Sequence, residues 1–161
     1  MDFRSRSVMR HFNKAKTSAN PYLKYAMCET DINTWYALIH SIQGADDEFQ
    51  GGQYLVKLVI PNNFPADPPA LYALTPNGVY DTTGKICINV GEFHADSSYP
   101  STLGIAGFCE QVVSGMIGWR TLGKGTRLLD DTTVEQIKQY AVASSAYNSA
   151  NYEAILAMFA K

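Results

Sequence analysis

Paired cysteines are missing from this sequence. The 161-residue chain has three cysteines, Cys28, Cys87 and Cys109, an odd number without a Cys-x-x-Cys pair. That usage argues against a disulfide framework and against a cysteine-ligated zinc site. We therefore expect a protein of a reducing, intracellular compartment.

Long basic runs and long apolar runs are missing too. The formal net charge is −2, which disfavours a nucleic-acid partner bound through phosphate contacts. No segment approaches the roughly 20 apolar residues that a membrane span needs, and no apolar run follows the basic N-terminus as in a secretory signal. Hydrophobic residues make up 46% and charged residues 17% of the chain. We therefore expect one globular domain over residues 1–161.

The first half of the chain reads as one helix and a sheet. Apolar residues at loosely helical spacing, with a basic opposite face, predict an amphipathic helix over residues 2–18. Residues rich in aromatic and β-branched side chains then predict four strands, at 22–29, 34–43, 53–60 and 70–74. Short, turn-rich links between these strands favour an antiparallel meander.

Two segments leave this sheet. Residues 61–69, which we call the proline loop, hold four of the seven prolines. Because proline lacks a backbone donor, the loop cannot continue the sheet and must be stiff and extended. Residues 91–100 are predicted as an irregular polar stretch.

The second half of the chain is predicted to be helical. A long helix is expected at 101–119, a second at 132–145 with a capping box from Thr132 to Glu135, and a third at 148–160. The order of elements predicts an α+β fold with helices packed on an antiparallel sheet.

One short stretch carries most of the chemistry. Pro76-Asn77-Gly78 forms a turn, a second turn follows near Gly84, and Cys87 lies between two isoleucines. Cys87 suits a nucleophile with the Asn77 amide as an oxyanion donor. It equally suits a small buried thiol in a short apolar run, and these residues alone favour that second interpretation.

Four motifs, taken in their order along the chain, favour the interpretation of Cys87 as a nucleophile. Residues 48–54 resemble the Tyr-Glu-Gly-Gly-x-Phe turn of ubiquitin-conjugating enzymes, and the proline loop resembles their Phe-Pro-x-x-Tyr-Pro-x-x-Pro-Pro segment. Thr75-Pro76-Asn77 resembles their His-Pro-Asn tripeptide, and residues 84–88 resemble their Gly-x-Ile-Cys-Leu run. The resemblance covers nearly the whole chain, and the series is far more specific than any one motif.

Finer features point to one branch of that family. Thr75 replaces the histidine of the tripeptide, the interval to Cys87 is slightly long, and residues 92–96 and 121–123 fit the same pattern. These features resemble the branch that is tail-anchored in the endoplasmic reticulum and serves protein quality control. We expect an intracellular protein on the cytosolic side, at that membrane only with an anchor beyond residue 161.

The resemblance implies roles for individual residues. Cys87 would hold ubiquitin as a thioester, and Asn77 would steady the oxyanion or fix the loop beside it. His94 suits either a general base or an ordinary surface histidine, with the surface role favoured. Asp130 and Asp131 lie where the family places an acidic residue near the acceptor lysine, but they equally suit helix capping, which we favour.

The resemblance also implies partners. These are ubiquitin or a ubiquitin-like modifier, a ubiquitin-activating enzyme and a ubiquitin ligase, with no metal and no small-molecule cofactor. The expected contact residues for the activating enzyme or the ligase are Arg4, Arg6, Arg10, Phe64, Ala66, Pro100 and Ser101. Two alternatives stay open: a non-catalytic ubiquitin-binding relative, against which Cys87 counts, and a thiol hydrolase of another fold, which leaves the proline loop unexplained.

Overall fold

The first helix, α1, spans Phe3–Lys16 in a computed structural model that describes residues 1–86, 89–90, 93–94, 104–121 and 131–160. Asp2 is its N-cap, and its carboxylate accepts a hydrogen bond from the Ser5 backbone N–H at 2.7 Å. This bond satisfies one of the amide groups that have no partner within a helix. The buried face of α1 consists of Ser7, Val8, Phe12 and Ala15.

The sheet is the predicted antiparallel meander. Its strands are β1 (Leu23–Cys28), β2 (Asp31–His40), β3 (Gln53–Val59) and β4 (Ala70–Ala73), and they lie side by side in chain order. Trp35, Ala37 and Ile39 alternate along β2 and are all buried, as the two-residue period of a strand requires. Strand β2 begins and ends three residues earlier than predicted.

Within the described residues, two further strands and four helical segments follow. Strands β5 (Asn89–Val90) and β6 (Phe93–His94) pair with each other, so regular structure enters the stretch that the sequence predicted as irregular. Helix α2 spans Gly104–Ile117, and a short 3₁₀ turn follows it at Trp119–Thr121. Helix α3 spans Val134–Asn151 and helix α4 spans Glu153–Met158.

The start and end of α3 correct the sequence prediction. The capping box is formed by Thr133 and Gln136, one residue later than predicted. Because Thr133 is the N-cap, the capping role predicted for Asp131 is wrong. The helix also passes the predicted end at residue 145 and continues to Asn151.

A buried acidic residue fastens the link between β2 and β3 to the end of α2. Glu48 has no exposed surface. Its carboxylate accepts a hydrogen bond from the Trp119 indole at 3.3 Å and lies 3.5 Å from the Arg120 guanidinium. Arg120 also pairs with Asp46 and stacks over Trp119. A buried carboxylate needs such partners, because an unpaired charge in the interior is costly.

Candidate active site

Asn77 organises residues 75–80, which we call the active-site loop. Its side chain is 3% exposed. The amide nitrogen donates to the carbonyl oxygens of Thr75 and Tyr80 at 3.0 and 3.2 Å. The amide oxygen accepts from the backbone N–H groups of Val79 and Tyr80 at 2.8 and 2.6 Å. Both amide hydrogens are therefore engaged within the loop itself, which favours a loop-fixing role for Asn77 over direct oxyanion donation.

Thr75 connects the same loop to β3 and α3. Its hydroxyl accepts a hydrogen bond from the Leu55 backbone N–H at 2.9 Å and donates to Asn148 Oδ1 at 2.6 Å. Asn148 in turn donates to the Gln53 carbonyl at 2.8 Å. Thr75 and Asn148 are both buried, at 1% and 0% exposure, so each polar group needs the partner it has.

Gly78 lies directly against α3. Its φ is +86°, and a Cβ atom at this position would come within 2.9 Å of Ile137 Cγ1. Side-chain atoms of Thr132 and Tyr140 would also be closer than 3.4 Å. Both the backbone conformation and the close approach of α3 thus require glycine here.

Helix α2 holds the last residue of the loop. The Tyr80 hydroxyl donates to the Val112 carbonyl oxygen at 2.9 Å. Tyr80 is buried, and this burial raises the pKa of its hydroxyl, so the group stays a neutral donor. The active-site loop is therefore fixed from both sides, by α3 near its beginning and by α2 at its end.

The segment that leads to Cys87 is fixed to the edge of the sheet. Lys85 forms a β-bridge with Tyr72, and the Ile86 backbone N–H donates to the Leu71 carbonyl at 2.8 Å. Ile86 is 3% exposed, so the chain is anchored up to the residue before the cysteine.

Several predicted site residues lie outside the described residues: Cys87, Pro100, Ser101 and Asp130. For His94 the structure describes the backbone pairing, in which His94 is opposite Asn89. Asp131 is exposed in the turn that precedes α3.

The other two cysteines occupy different settings. Cys109 is 2% exposed in α2, and burial raises the pKa of its thiol to about 12, which makes it a poor source of thiolate. Cys28 ends β1, and a hydrogen bond with Thr30 lowers the pKa of its thiol. Cys28 is a partly exposed thiol and a useful control for any experiment on cysteine chemistry.

The proline loop is fastened to α1. Arg4 donates to the backbone carbonyls of Asn62 and Pro61 at 2.8 and 2.6 Å. Phe64 is 3% exposed, and its ring packs edge-on against His11, with a centroid distance of 4.9 Å. The prediction that Phe64 contacts a ligase is therefore corrected to a packing role.

Other predicted contact residues do lie on the surface. Ala66, in the proline loop, is exposed, as are Arg6 and Arg10 in α1. Arg4, predicted with them, uses its guanidinium to hold the proline loop. The missed residues are Asn148 and Ser144, which face the core at the same helical register as Ile137 and Ala141. Polar residues at that register were the available signal.

The comparison with protein families decides the identity of the fold. A family model described as "Ubiquitin-conjugating enzyme" matches residues 7–114, more than half of the chain. The chain belongs to this family. The match runs from α1 through the proline loop and the active-site loop into α2.

Individual relatives agree with this membership. The chain is 27% identical over 129 residues to "Ubiquitin-conjugating enzyme E2 6" of Eremothecium gossypii, covering 80% of this chain and 50% of that protein. It is 27% identical over 142 residues to "Ubiquitin-conjugating enzyme E2 J2" of Homo sapiens, covering 88% of this chain and 52% of that protein. The chain thus spans about half the length of the curated relatives it matches.

A solved structure shows the same fold. The human ubiquitin-conjugating enzyme E2 G1 superposes with a TM-score of 0.58 at 19% identity, covering 71% of this chain and 94% of that one. Within the described ranges, no helix has the length and apolar character needed to cross a bilayer.

Proposed function

We propose that this ubiquitin-conjugating family member carries ubiquitin, or a ubiquitin-like modifier, as a thioester on Cys87 and transfers it to a lysine amine. The observation that carries the proposal is the family match over residues 7–114, which includes Cys87. The anchoring of Ile86 to Leu71 and the Asn77 hydrogen bonds support it, because a transfer site needs a rigid backbone around the reacting atoms.

Loading is a thioester exchange. The Cys87 thiolate attacks the carbonyl carbon of the ubiquitin thioester on the activating enzyme, and a new carbon–sulfur bond forms. The bond to the activating enzyme's cysteine breaks, and that sulfur leaves as a thiolate, which takes up the proton that Cys87 lost. No metal and no redox change is needed.

Discharge replaces sulfur by nitrogen. The acceptor amine attacks the thioester carbonyl, a carbon–nitrogen bond forms, and the Cys87 thiolate departs. The amine loses its extra proton to water or to the departing thiolate. A hydroxyl acceptor would follow the same route and leave an ester. His94 as a base, and Asp130 or Asp131 near the acceptor amine, belong to this proposal.

In this proposal Asn77 is a positioning residue. Its two N–H groups are engaged by the carbonyls of Thr75 and Tyr80, so it acts through the shape of the active-site loop. Donation to the oxyanion would require it to give up one of those bonds.

Partner binding is assigned to the surface around α1 and the proline loop. Exposed Arg6, Arg10 and Ala66 would contact the activating enzyme or a ligase. Arg4 would keep the two segments in register through its bonds to the Asn62 and Pro61 carbonyls. Pro100 and Ser101 would complete the ligase contact.

The experiment is a non-reducing gel of the protein with activating enzyme, ubiquitin and ATP. We expect an adduct that a thiol reductant removes. Cys87→Ser should give no adduct or one that resists the reductant, as an oxyester does. The matched control, Cys28→Ser, should retain the reductant-sensitive adduct.

Two results would contradict the proposal. One is a folded protein that forms no adduct with ubiquitin or with ubiquitin-like modifiers and their own activating enzymes; that outcome would favour a non-catalytic ubiquitin-binding relative. The other is a thioester that survives in Cys87→Ser and disappears in Cys28→Ser.

A further inference from the structure

The buried face of α3 carries polar side chains where apolar ones would be ordinary. Ser144 is 1% exposed and Asn148 has no exposed surface. Ser144 accepts a hydrogen bond from the Gln53 backbone N–H at 2.9 Å and donates to the Ala141 carbonyl at 2.7 Å. Asn148 donates to the Gln53 carbonyl at 2.8 Å and accepts from the Thr75 hydroxyl. Both residues therefore join α3 to the start of β3, but Asn148 also reaches the active-site loop.

Thr75 is the residue that connects Asn148 of α3 to the active-site loop. Its hydroxyl accepts from Leu55 N–H and donates to Asn148, while its carbonyl accepts from the Asn77 side chain at 3.0 Å. Thr75 thus contacts β3 and α3 through its side-chain hydroxyl, and it contacts Asn77 through its backbone carbonyl. Thr75 is also the residue that replaces the histidine of the family tripeptide.

The chemistry of the hydroxyl explains why threonine suits this place. A hydroxyl can donate one hydrogen bond while it accepts others, and Thr75 does both. Valine has nearly the same shape but can do neither, so it would leave the Leu55 N–H and the Asn148 oxygen without their partner. Buried polar groups without partners are strongly unfavourable. A shift of the active-site loop would allow these two groups to find other partners.

We infer that the Thr75–Asn148 hydrogen bond makes α3 a positioning element for the active site, so that the placement of Asn77 and the chain toward Cys87 depends on α3. The inference rests on the proposed function for its kinetic consequence. The structural part of the inference does not depend on any activity. It states that the active-site loop and α3 open in one shared local unfolding event.

The kinetic test uses single-turnover discharge of the preformed ubiquitin thioester to free lysine. Thr75→Val should lower the saturating rate constant by about tenfold, since a misplacement on the order of 1 Å costs that much or more. The lysine concentration at half-maximal rate should change little. Thr75→Ser, which restores the hydroxyl, should recover most of the rate.

Ser144→Ala is the matched control. It removes a buried hydrogen bond between α3 and the same residue, Gln53, but the hydroxyl of Ser144 bonds to Gln53 and Ala141 and not to the active-site loop. Its melting temperature should fall by a similar amount, while its discharge rate should stay within about twofold of the parent. Equal rate losses in Thr75→Val and Ser144→Ala would overturn the inference, as would a failure of Thr75→Ser to recover the rate.

Hydrogen exchange tests the structural content without a substrate. The amides of Val79 and Tyr80 bond to Asn77, and the Tyr152 amide bonds to the Asn148 carbonyl at 2.7 Å. In the unmodified protein these three amides should exchange with similar protection, through one shared opening. Much weaker protection of Val79 and Tyr80 than of Tyr152 would overturn the inference, even where Thr75→Val does not fold.

Different results contradict the proposed function and the inference about α3. A parent protein that forms no thioester contradicts the proposed function, and hydrogen exchange then decides the inference alone. A parent protein that charges and discharges normally, with Thr75→Val unchanged in rate, contradicts the inference and leaves the proposed function intact.

Discussion

The active-site loop and the proline loop are both irregular segments next to β4, yet they are held in opposite ways. The active-site loop is buried at Thr75 and Asn77, and its bonds come from side chains of the interior. The proline loop has only Phe64 and Pro69 buried and exposes Asn62, Asn63, Ala66 and Asp67. One side chain of α1, Arg4, fastens its backbone from outside.

The difference is consistent with the roles proposed above for the two loops. A segment that must place reacting atoms benefits from bonds that water cannot replace, and such bonds exist only in the interior. A segment that must meet partners has to keep its side chains accessible, so it is stiffened by prolines and a surface arginine instead. Substitutions in the two loops should therefore differ in size and in what they affect.

The largest effect is expected for Asn77→Ala. The substitution leaves the carbonyls of Thr75 and Tyr80 and two backbone N–H groups unpaired in the interior, which should cost about 4 kcal/mol of unfolding free energy. Urea denaturation measures it. Asn63→Ala, at an exposed asparagine of the proline loop, should stay within about 0.5 kcal/mol.

The same variant separates the two roles considered for Asn77. Slow discharge combined with unchanged stability and an unchanged loop would restore the direct oxyanion role. Lost stability together with slow discharge would support the positioning role.

A smaller loss is expected for Gly78→Ala. The alanine would occupy φ +86° and would press its Cβ to 2.9 Å from Ile137, so strain and crowding together should cost about 3 kcal/mol. Gly51→Ala has a similar φ of +80° but no neighbouring atom within 4 Å, so it should lose only about 1 kcal/mol. Equal losses in urea denaturation would show that α3 does not crowd the active-site loop.

On the proline-loop side, Arg4→Ala should cost about 1 kcal/mol, because its bonds to the Pro61 and Asn62 carbonyls lie near the surface. Arg10→Ala, at an exposed position of the same helix, should leave stability unchanged while slowing thioester formation if α1 binds the activating enzyme. A stability loss in Arg10→Ala equal to that in Arg4→Ala would contradict the distinction.

The smallest effect is a dependence on pH at His11. Burial against Phe64, and then the charges of Lys14 and Arg10, lower the pKa of His11 below its ordinary 6.5. Folding thus favours neutral His11, and its contribution is present above pH 6.5 and lost as pH falls through the lowered pKa. His11→Gln should flatten the loss of melting temperature on acidification below pH 6.5. An unchanged slope would assign that loss to other groups, such as His40, whose pKa is also lowered.

Patterns among residues that are close in sequence were enough to predict most of the fold. Aromatic and β-branched side chains predicted β2 and β3, and the prolines predicted the exit from the sheet after β3. The prediction ended α3 at residue 145 and began a separate helix at 148, whereas one helix runs to Asn151, with Ser144 and Asn148 as buried partners of β3. Their helical register with Ile137 and Ala141 was the available signal, but that register alone does not show which distant strand a polar residue contacts.

For the candidate site, the motif order was enough to select Cys87 and Asn77 and to predict the family. Proximity along the chain also sufficed for the turn at Asn77, whose bonds reach only two or three residues. The pairing of Thr75 with Asn148, the burial of Glu48 and the packing of Phe64 needed the tertiary structure. Those contacts join residues that are far apart in sequence, and only the folded chain determines which buried polar groups meet.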